Sequence, residues 1–237
     1  MPVSPLRCLL LDLDGTLVDT APDMAHALNL LRGEHELPPL AYEIIRPHAS
    51  HGVRMLIRLG FGLLEEDPRF ASLRTRFLEL YREHLVDASC LFPGMDELLS
   101  TIEARDIPWG VVTNKPAWLT EPLLEGLDLT QRAACIVSGD TTPKPKPHPG
   151  SLLHAARTVG VPAKACLYVG DASRDIEAGR NAGMRTLVAT FGYLRETDQP
   201  EEWQADGFVD HPREILAWIT KDWTADQTAL GLRSKTR

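Results

Sequence analysis

The chain has 237 residues, 43% of them hydrophobic and 24% charged, with a formal net charge of −8. That length and mixture buries one full core with room for a smaller second one. The negative balance supplies no basic field of the kind that neutralises a phosphate backbone, so nucleic acid is not an expected partner. No run approaches the ~18 apolar residues of a membrane span, and residues 1–7 are too poor in apolar residues for a signal peptide. A cytoplasmic protein, monomer or homodimer, is expected. Cys8, Cys90, Cys135 and Cys166 are far apart with no C-x-x-C pair, which points to reduced thiols rather than a disulfide framework or a zinc site.

Cys8 to Leu11 is a short, wholly apolar run, the pattern of a strand covered on both faces. From Thr20, "TAPDMAHALNLLRG" opens with a T-x-x-D cap, carries Met24, Ala27, Leu28 and Leu31 at helical spacing and reaches Gly33. "LAYEIIRPH", "GVRMLIRLGF" and "PRFASLRTRFLELYREHLVD" continue helical, the last with Phe70, Leu73, Phe77, Leu80 and Tyr81 on one face. After "LFPG" the pattern changes to alternation. Helices near 95–105, 117–127, 149–159 and 173–182 separate the strands "IPWGVVT", "ACIVS", "ACLYVG" and "RTLVAT", the signature of βαβ units and a parallel sheet. Gly160 and Gly183 stand where helix ends favour a left-handed residue. The first strand belongs with this alternation. The expected fold is therefore α/β: a Rossmann-like parallel-sheet core from 1–19 and 91–237, interrupted by an all-helical cap over 20–90. The final "WTADQTALGLRSKTR" is expected to be frayed or loosely docked and carries no recognisable chemistry.

Ligands of open parallel sheets bind beyond the carboxyl ends of the strands. The first strand runs into Asp12 and Asp14, the second into Thr113 and Asn114, and a later one into "GDASRD" with Asp171 and Asp175. The connection "PKPKPHP" adds Lys144 and Lys146. In an extended chain, positions 12 and 14 lean the same way, and two adjacent carboxylates are costly without a cation. Three aspartates with no histidine or cysteine among them form an oxygen donor set that suits Mg²⁺. Each piece has a plainer reading as turn, helix cap or solvated charge, but none of these explains why all four collect at one sheet edge.

The four segments "DLDGT", "VVTN", "KPHP" and "GDASRD" resemble, in order, the motifs of the haloacid dehalogenase superfamily, phosphatase branch, whose helical cap is inserted after the first motif. The resemblance implies that Asp12 is a nucleophile and Asp14 a general acid/base. It implies that Thr113, Asn114 and Lys146 bind phosphate, and that Mg²⁺ is held by Asp12, Asp171 and the backbone carbonyl of Asp14, with Asp175 orienting its neighbours. Lys146 is preferred to Lys144 because "KPHPGSLLHAA" runs directly into the following helix. Ala172 departs from the hydroxyl residue many relatives have there. Dehalogenases lack an acid at the position of Asp14, so the branch implied is a phosphatase acting on a small phosphate ester. A phosphomutase shares both aspartates but would need a bisphosphate activator, and an idle relative would release no phosphate. The resemblance is nearest to phosphoglycolate phosphatases, the first expectation, with the related bacterial N-acetylmuramic acid 6-phosphate phosphatases as the alternative, to which "WGVVTNKP" and "FGY…EEWQADGFVDHP" lean. Both substrates carry a carboxylate. Among Arg46, His48, Ser50, His51, Arg54 and Arg58 of the cap, Arg46 is the first choice to meet it and Arg54 the next, because Pro47 disfavours helix at position 46.

Overall fold

The computed structural model describes residues 6–220, so the final tail discussed above lies outside the described residues. The chain opens with β1 (Cys8–Leu11), β2 (Val18–Asp19) and α1 (Ala21–Glu34), then α2 (Tyr42–Ile45), a 3-10 turn over Arg46–His51, α3 (Gly52–Phe61) and α4 (Phe70–Glu83). There follow β3 (Cys90–Leu91), α5 (Met95–Glu103), β4 (Trp109–Val112), α6 (Ala117–Gly126), β5 (Cys135–Val137), α7 (Gly150–Val159), β6 (Cys166–Gly170), α8 (Ser173–Asn181), β7 (Arg185–Ala189), β8 (Gly207–Val209) and α9 (Ile215–Thr220).

Six strands form one sheet in the order β5-β4-β1-β6-β7-β8, each neighbouring pair parallel. β1 lies centrally between β4 and β6, which explains why it is apolar throughout and completely buried. The two-residue period divides its side chains. Leu9 and Leu11 pack with Val111, Leu167 and Val169 on one face, while Cys8 and Leu10 join Val112, Tyr168, Leu152 and Ala155 on the other. The chain adds β4 and β5 on one side of β1, then crosses back to place β6 on the other. The crevice beside β1 is thus the switch point of the sheet, where open α/β sheets place their ligands. All four cysteines are unpaired, and no helix among the described residues is long and apolar enough to cross a membrane.

The helices between β2 and β3 follow the predicted pattern. In α4, Phe70, Leu73, Phe77, Leu80 and Tyr81 are buried, and α1 lies against this helix. Three details depart from it. The T-x-x-D box does not cap α1, because the Thr20 hydroxyl donates to Asp14 instead and Asp23 accepts from the Ala88 and Ser89 amides and the Ser89 hydroxyl. Asp23 therefore ties the end of the helical segment to its beginning. Helix α1 also continues through Gly33 to Glu34. Arg46 is helical despite preceding Pro47, with φ −48° and ψ −48°; the two carbonyls its guanidinium reaches, described below, offset that local preference. The antiparallel ribbon of β2 with β3, Val18 opposite Leu91 and Asp19 opposite Cys90, and the short edge strand β8 were not predicted. Two- and three-residue strands carry too few side chains for a period to show.

Candidate active site

The ends of β1, β4 and β6 and the loop between β5 and α7 meet at the crevice. Asp12, directly after β1, is buried and keeps its place by accepting from the Leu13 amide and from Lys146 Nζ, at 2.8 Å each. Lys146 Nζ also reaches Asp175 at 2.7 Å, the Tyr168 hydroxyl at 2.8 Å and the Val112 carbonyl at 3.0 Å. Of the two candidate lysines, Lys144 is exposed and Lys146 buried. Asn114 uses its amide on the backbone of Lys146, donating to the carbonyl and accepting from the N–H. It fixes the loop that delivers the lysine. Thr113 is buried at the cavity wall, its hydroxyl oxygen accepting from the Lys115 amide.

Asp171 follows β6. Its Oδ2 accepts from the Ser50 hydroxyl at 2.5 Å and the Tyr193 amide at 2.9 Å, while its Oδ1 is buried with no partner among the described residues. Asp175, in the first turn of α8, closes that turn by accepting from the Ala172 amide and spends its other oxygen on Lys146. Gly15, at φ +82°, is required here, because a Cβ at that position would collide with Asp171. Asp12, Asp171 and Asp175 can each bring one oxygen within 4.8 Å of the others.

Burial pushes the Asp12 carboxyl up to about 6, with Asp175 adding to the rise and Lys146 opposing it. Burial, then Asp12 and Asp175, push Asp171 up to about 7. Burial also raises Asp175, but Lys146 and Arg174 outweigh it and hold that carboxyl below its ordinary value. The pattern is a cluster short of positive charge. Asp175 has both oxygens engaged within the protein, whereas Asp171, in the same carboxylate cluster as Asp12, keeps Oδ1 unpartnered among the described residues. An all-oxygen set of this kind fits a divalent cation.

Asp14 lines the cavity together with Asp12. Lys115 Nζ lies 2.9 Å from its carboxylate and 2.6 Å from the Tyr81 hydroxyl, and the Thr20 hydroxyl donates to the same carboxylate oxygen at 2.7 Å. Lys115 and Tyr81 were absent from the expected site. The lysine's signal was its place next to "VVTN", whereas Tyr81 was legible only as one more member of a buried helix face.

Between sheet edge and helical segment lies a cavity of ≈ 440 Å³, floored by Asp12, Asp14, Thr113 and Arg174 and walled by Met24, Leu56, Phe77, Leu78, Trp118 and Leu119. Arg54, Arg74 and His51 also line it. Arg46 does not. Its guanidinium donates to the Phe191 and Gly192 carbonyls and lies over the Tyr193 ring, strapping the helical segment to the loop after β7. Arg174 donates to the Ser50 carbonyl.

The model of the haloacid dehalogenase-like hydrolases matches residues 9–189. The chain belongs to that family. It is 40% identical over 211 residues to the N-acetylmuramic acid 6-phosphate phosphatase of Pseudomonas aeruginosa, covering 89% of this chain and 93% of that protein. It is 41% identical over 217 residues to the phosphoglycolate phosphatase of Xanthomonas campestris pv. campestris, covering 92% and 97%. The crystal structure of a predicted phosphoglycolate phosphatase from Haemophilus somnus 129PT superposes with a TM-score of 0.80 at 27% identity, covering 92% of this chain and 99% of that one. The chain is thus a hydrolase whose relatives at about this level of identity are phosphatases.

Proposed function

We propose that this chain is a cytoplasmic, Mg²⁺-dependent phosphomonoesterase that works through an aspartyl phosphate on Asp12 and acts on a carboxylate-bearing sugar phosphate of the N-acetylmuramic acid 6-phosphate type. The observation that carries the chemistry is Lys146, buried between Asp12 and Asp175, two members of a carboxylate cluster whose third, Asp171, keeps an unpartnered oxygen. Residues 20–90 serve as the cap and the remainder as the catalytic core.

Asp12 attacks phosphorus in line, forming the O–P bond as the bond to the leaving alkoxide breaks. Asp14 gives its proton to that alkoxide, then takes one from the water that hydrolyses the aspartyl phosphate. Lys146 orients the nucleophile and offsets charge on the transferring group, and the Thr113 hydroxyl holds one of its oxygens. Asn114 positions Lys146, and Asp175 holds it from the far side. Held by Asp12, Asp171 and the Asp14 carbonyl, Mg²⁺ would neutralise the phosphate dianion that otherwise repels a carboxylate.

Relatives of both substrate types match about equally well, and the cavity supports the larger substrate. A volume of ≈ 440 Å³ with an apolar wall of Met24, Leu56, Phe77 and Leu78 suits an acylated sugar, whereas a two-carbon acid would leave most of it to water. Phosphoglycolate is the second reading. Steady-state rates on N-acetylmuramic acid 6-phosphate, 2-phosphoglycolate and simple hexose phosphates, in Mg²⁺ and without a bisphosphate activator, test the choice. The amino-sugar acid should give the highest kcat/KM; a preference for phosphoglycolate would reverse the assignment.

The cation requirement has its own test. The folded carboxyls of Asp12 and Asp171 keep protons that the unfolded chain has already released, so chelator-treated protein should lose stability as pH rises from about 4 through about 7. Adding Mg²⁺ should raise Tm, and by more at pH 8 than at pH 5, since its ligands must be deprotonated. A Tm at pH 8 indifferent to Mg²⁺ would remove the cation from this cluster.

A further inference from the structure

Five basic side chains line the cavity, and four have a stated occupation or are held neutral. Lys115 is held between Asp14 and Tyr81, Arg174 donates to the Ser50 carbonyl, and Arg54 pairs with Glu65 at 3.3 Å. Burial, with Arg195 and Arg174 nearby, pushes His51 down to about 4, leaving it uncharged near neutrality. Arg74 makes no hydrogen bond or ion pair with any described residue.

Its position along α4 gives that free charge a meaning. Arg74, Phe77, Leu78 and Tyr81 recur at the spacing of one helix face, and all four line the cavity. Tyr81 is the chemical end of this stripe, since its hydroxyl meets the lysine that holds Asp14. Arg74 is the far end, seven residues away, or about 10 Å of helix rise. Phe77 and Leu78 between them offer only apolar contact.

We propose that Arg74 is the specificity-determining residue that receives a second anion of the substrate, a carboxylate carried at the far end of an acyl sugar whose phosphate lies over Asp12. A planar guanidinium with no competing partner is matched to a carboxylate, and the apolar stretch between the two ends is matched to a sugar ring with its acyl group. The arrangement measures length. In phosphoglycolate a single methylene separates the two anions, too short to reach both ends, so the same stripe that accepts the longer ester leaves the shorter one bound at its phosphate alone. This assignment rests on the phosphatase reading above and deepens it.

The test compares N-acetylmuramic acid 6-phosphate with N-acetylglucosamine 6-phosphate, esters that differ only by the carboxylate-bearing lactyl group. In Arg74→Gln the ratio of kcat/KM between them should fall about tenfold or more, chiefly through KM of the carboxylate ester, with Arg74→Lys in between. Arg74 is exposed and unbonded, so both variants should fold. An unchanged ratio in Arg74→Gln, or a fall seen in Arg54→Gln instead, overturns the assignment while the phosphatase reading stands. Failure of the wild-type protein to hydrolyse either ester, or any other phosphate ester, overturns both.

Discussion

Asp12→Asn is expected to abolish turnover of every phosphate ester, by roughly 10³-fold or more, while the protein remains folded. The amide has nearly the shape of the carboxylate, and its oxygen can still accept from the Leu13 amide and from Lys146, the two bonds that hold the residue now. What it lacks is a charged oxygen able to attack phosphorus. The substitution also removes a like charge that raises the neighbouring Asp171, so the variant should be no less stable than the parent at pH 8. Phosphate release and thermal unfolding measured on the same sample check both halves. Turnover near the parental rate would sink the aspartyl phosphate mechanism, and an unfolded variant would show that the Asp12 charge is structural.

Lys146→Met should have the other large effect, on stability as well as rate. The methionine fills much of the same space but leaves Asp12 and Asp175 buried without the cation that bridges them at 2.8 and 2.7 Å. Breaking a buried ion pair in this way costs about 3–5 kcal/mol. The loss has a direction in pH. Without Lys146 the folded carboxyls bind protons more tightly than the unfolded chain does, so the deficit should grow as pH rises from about 4 past about 6. Urea unfolding at pH 5 and pH 8 separates the causes. An equal deficit at both values would assign it to lost packing of the alkyl stem.

The residues at the strand ends were legible because their signals are local. Asp12, Thr113 and Asp171 each follow an apolar run that can only be a buried strand, and parallel strands all deliver their ends to one edge. Asn114 shows the limit of such reading: its side chain is spent on the backbone of Lys146, a choice set by a loop distant in sequence. Arg46 and Arg74 show it more sharply. Pro47 correctly marks an irregular point in the chain, but the carbonyls of Phe191 and Gly192 that capture Arg46 lie 145 and 146 residues further along the sequence. Arg74 reads as an ordinary charge on the exposed side of an amphipathic helix, and only the placement of α4 over the crevice gives that side something to face. Sequence shows where a side chain is free to point; long-range packing decides where it does.

The ribbon of β2 and β3 sets the chain's departure from the core beside its return, and Asp23 fastens the two again at Ala88 and Ser89. To the sheet, everything between is a loop already closed, and the entropy of closing it depends only weakly on its length. Insertions, deletions and exchanges of sequence between those two staples should therefore cost the strand register little. In this sense one stretch of sequence can be redrafted with little cost to the sheet, provided that Ser50 still meets Asp171 and Tyr81 still meets Lys115, two points at which the interchangeable part reaches into the site.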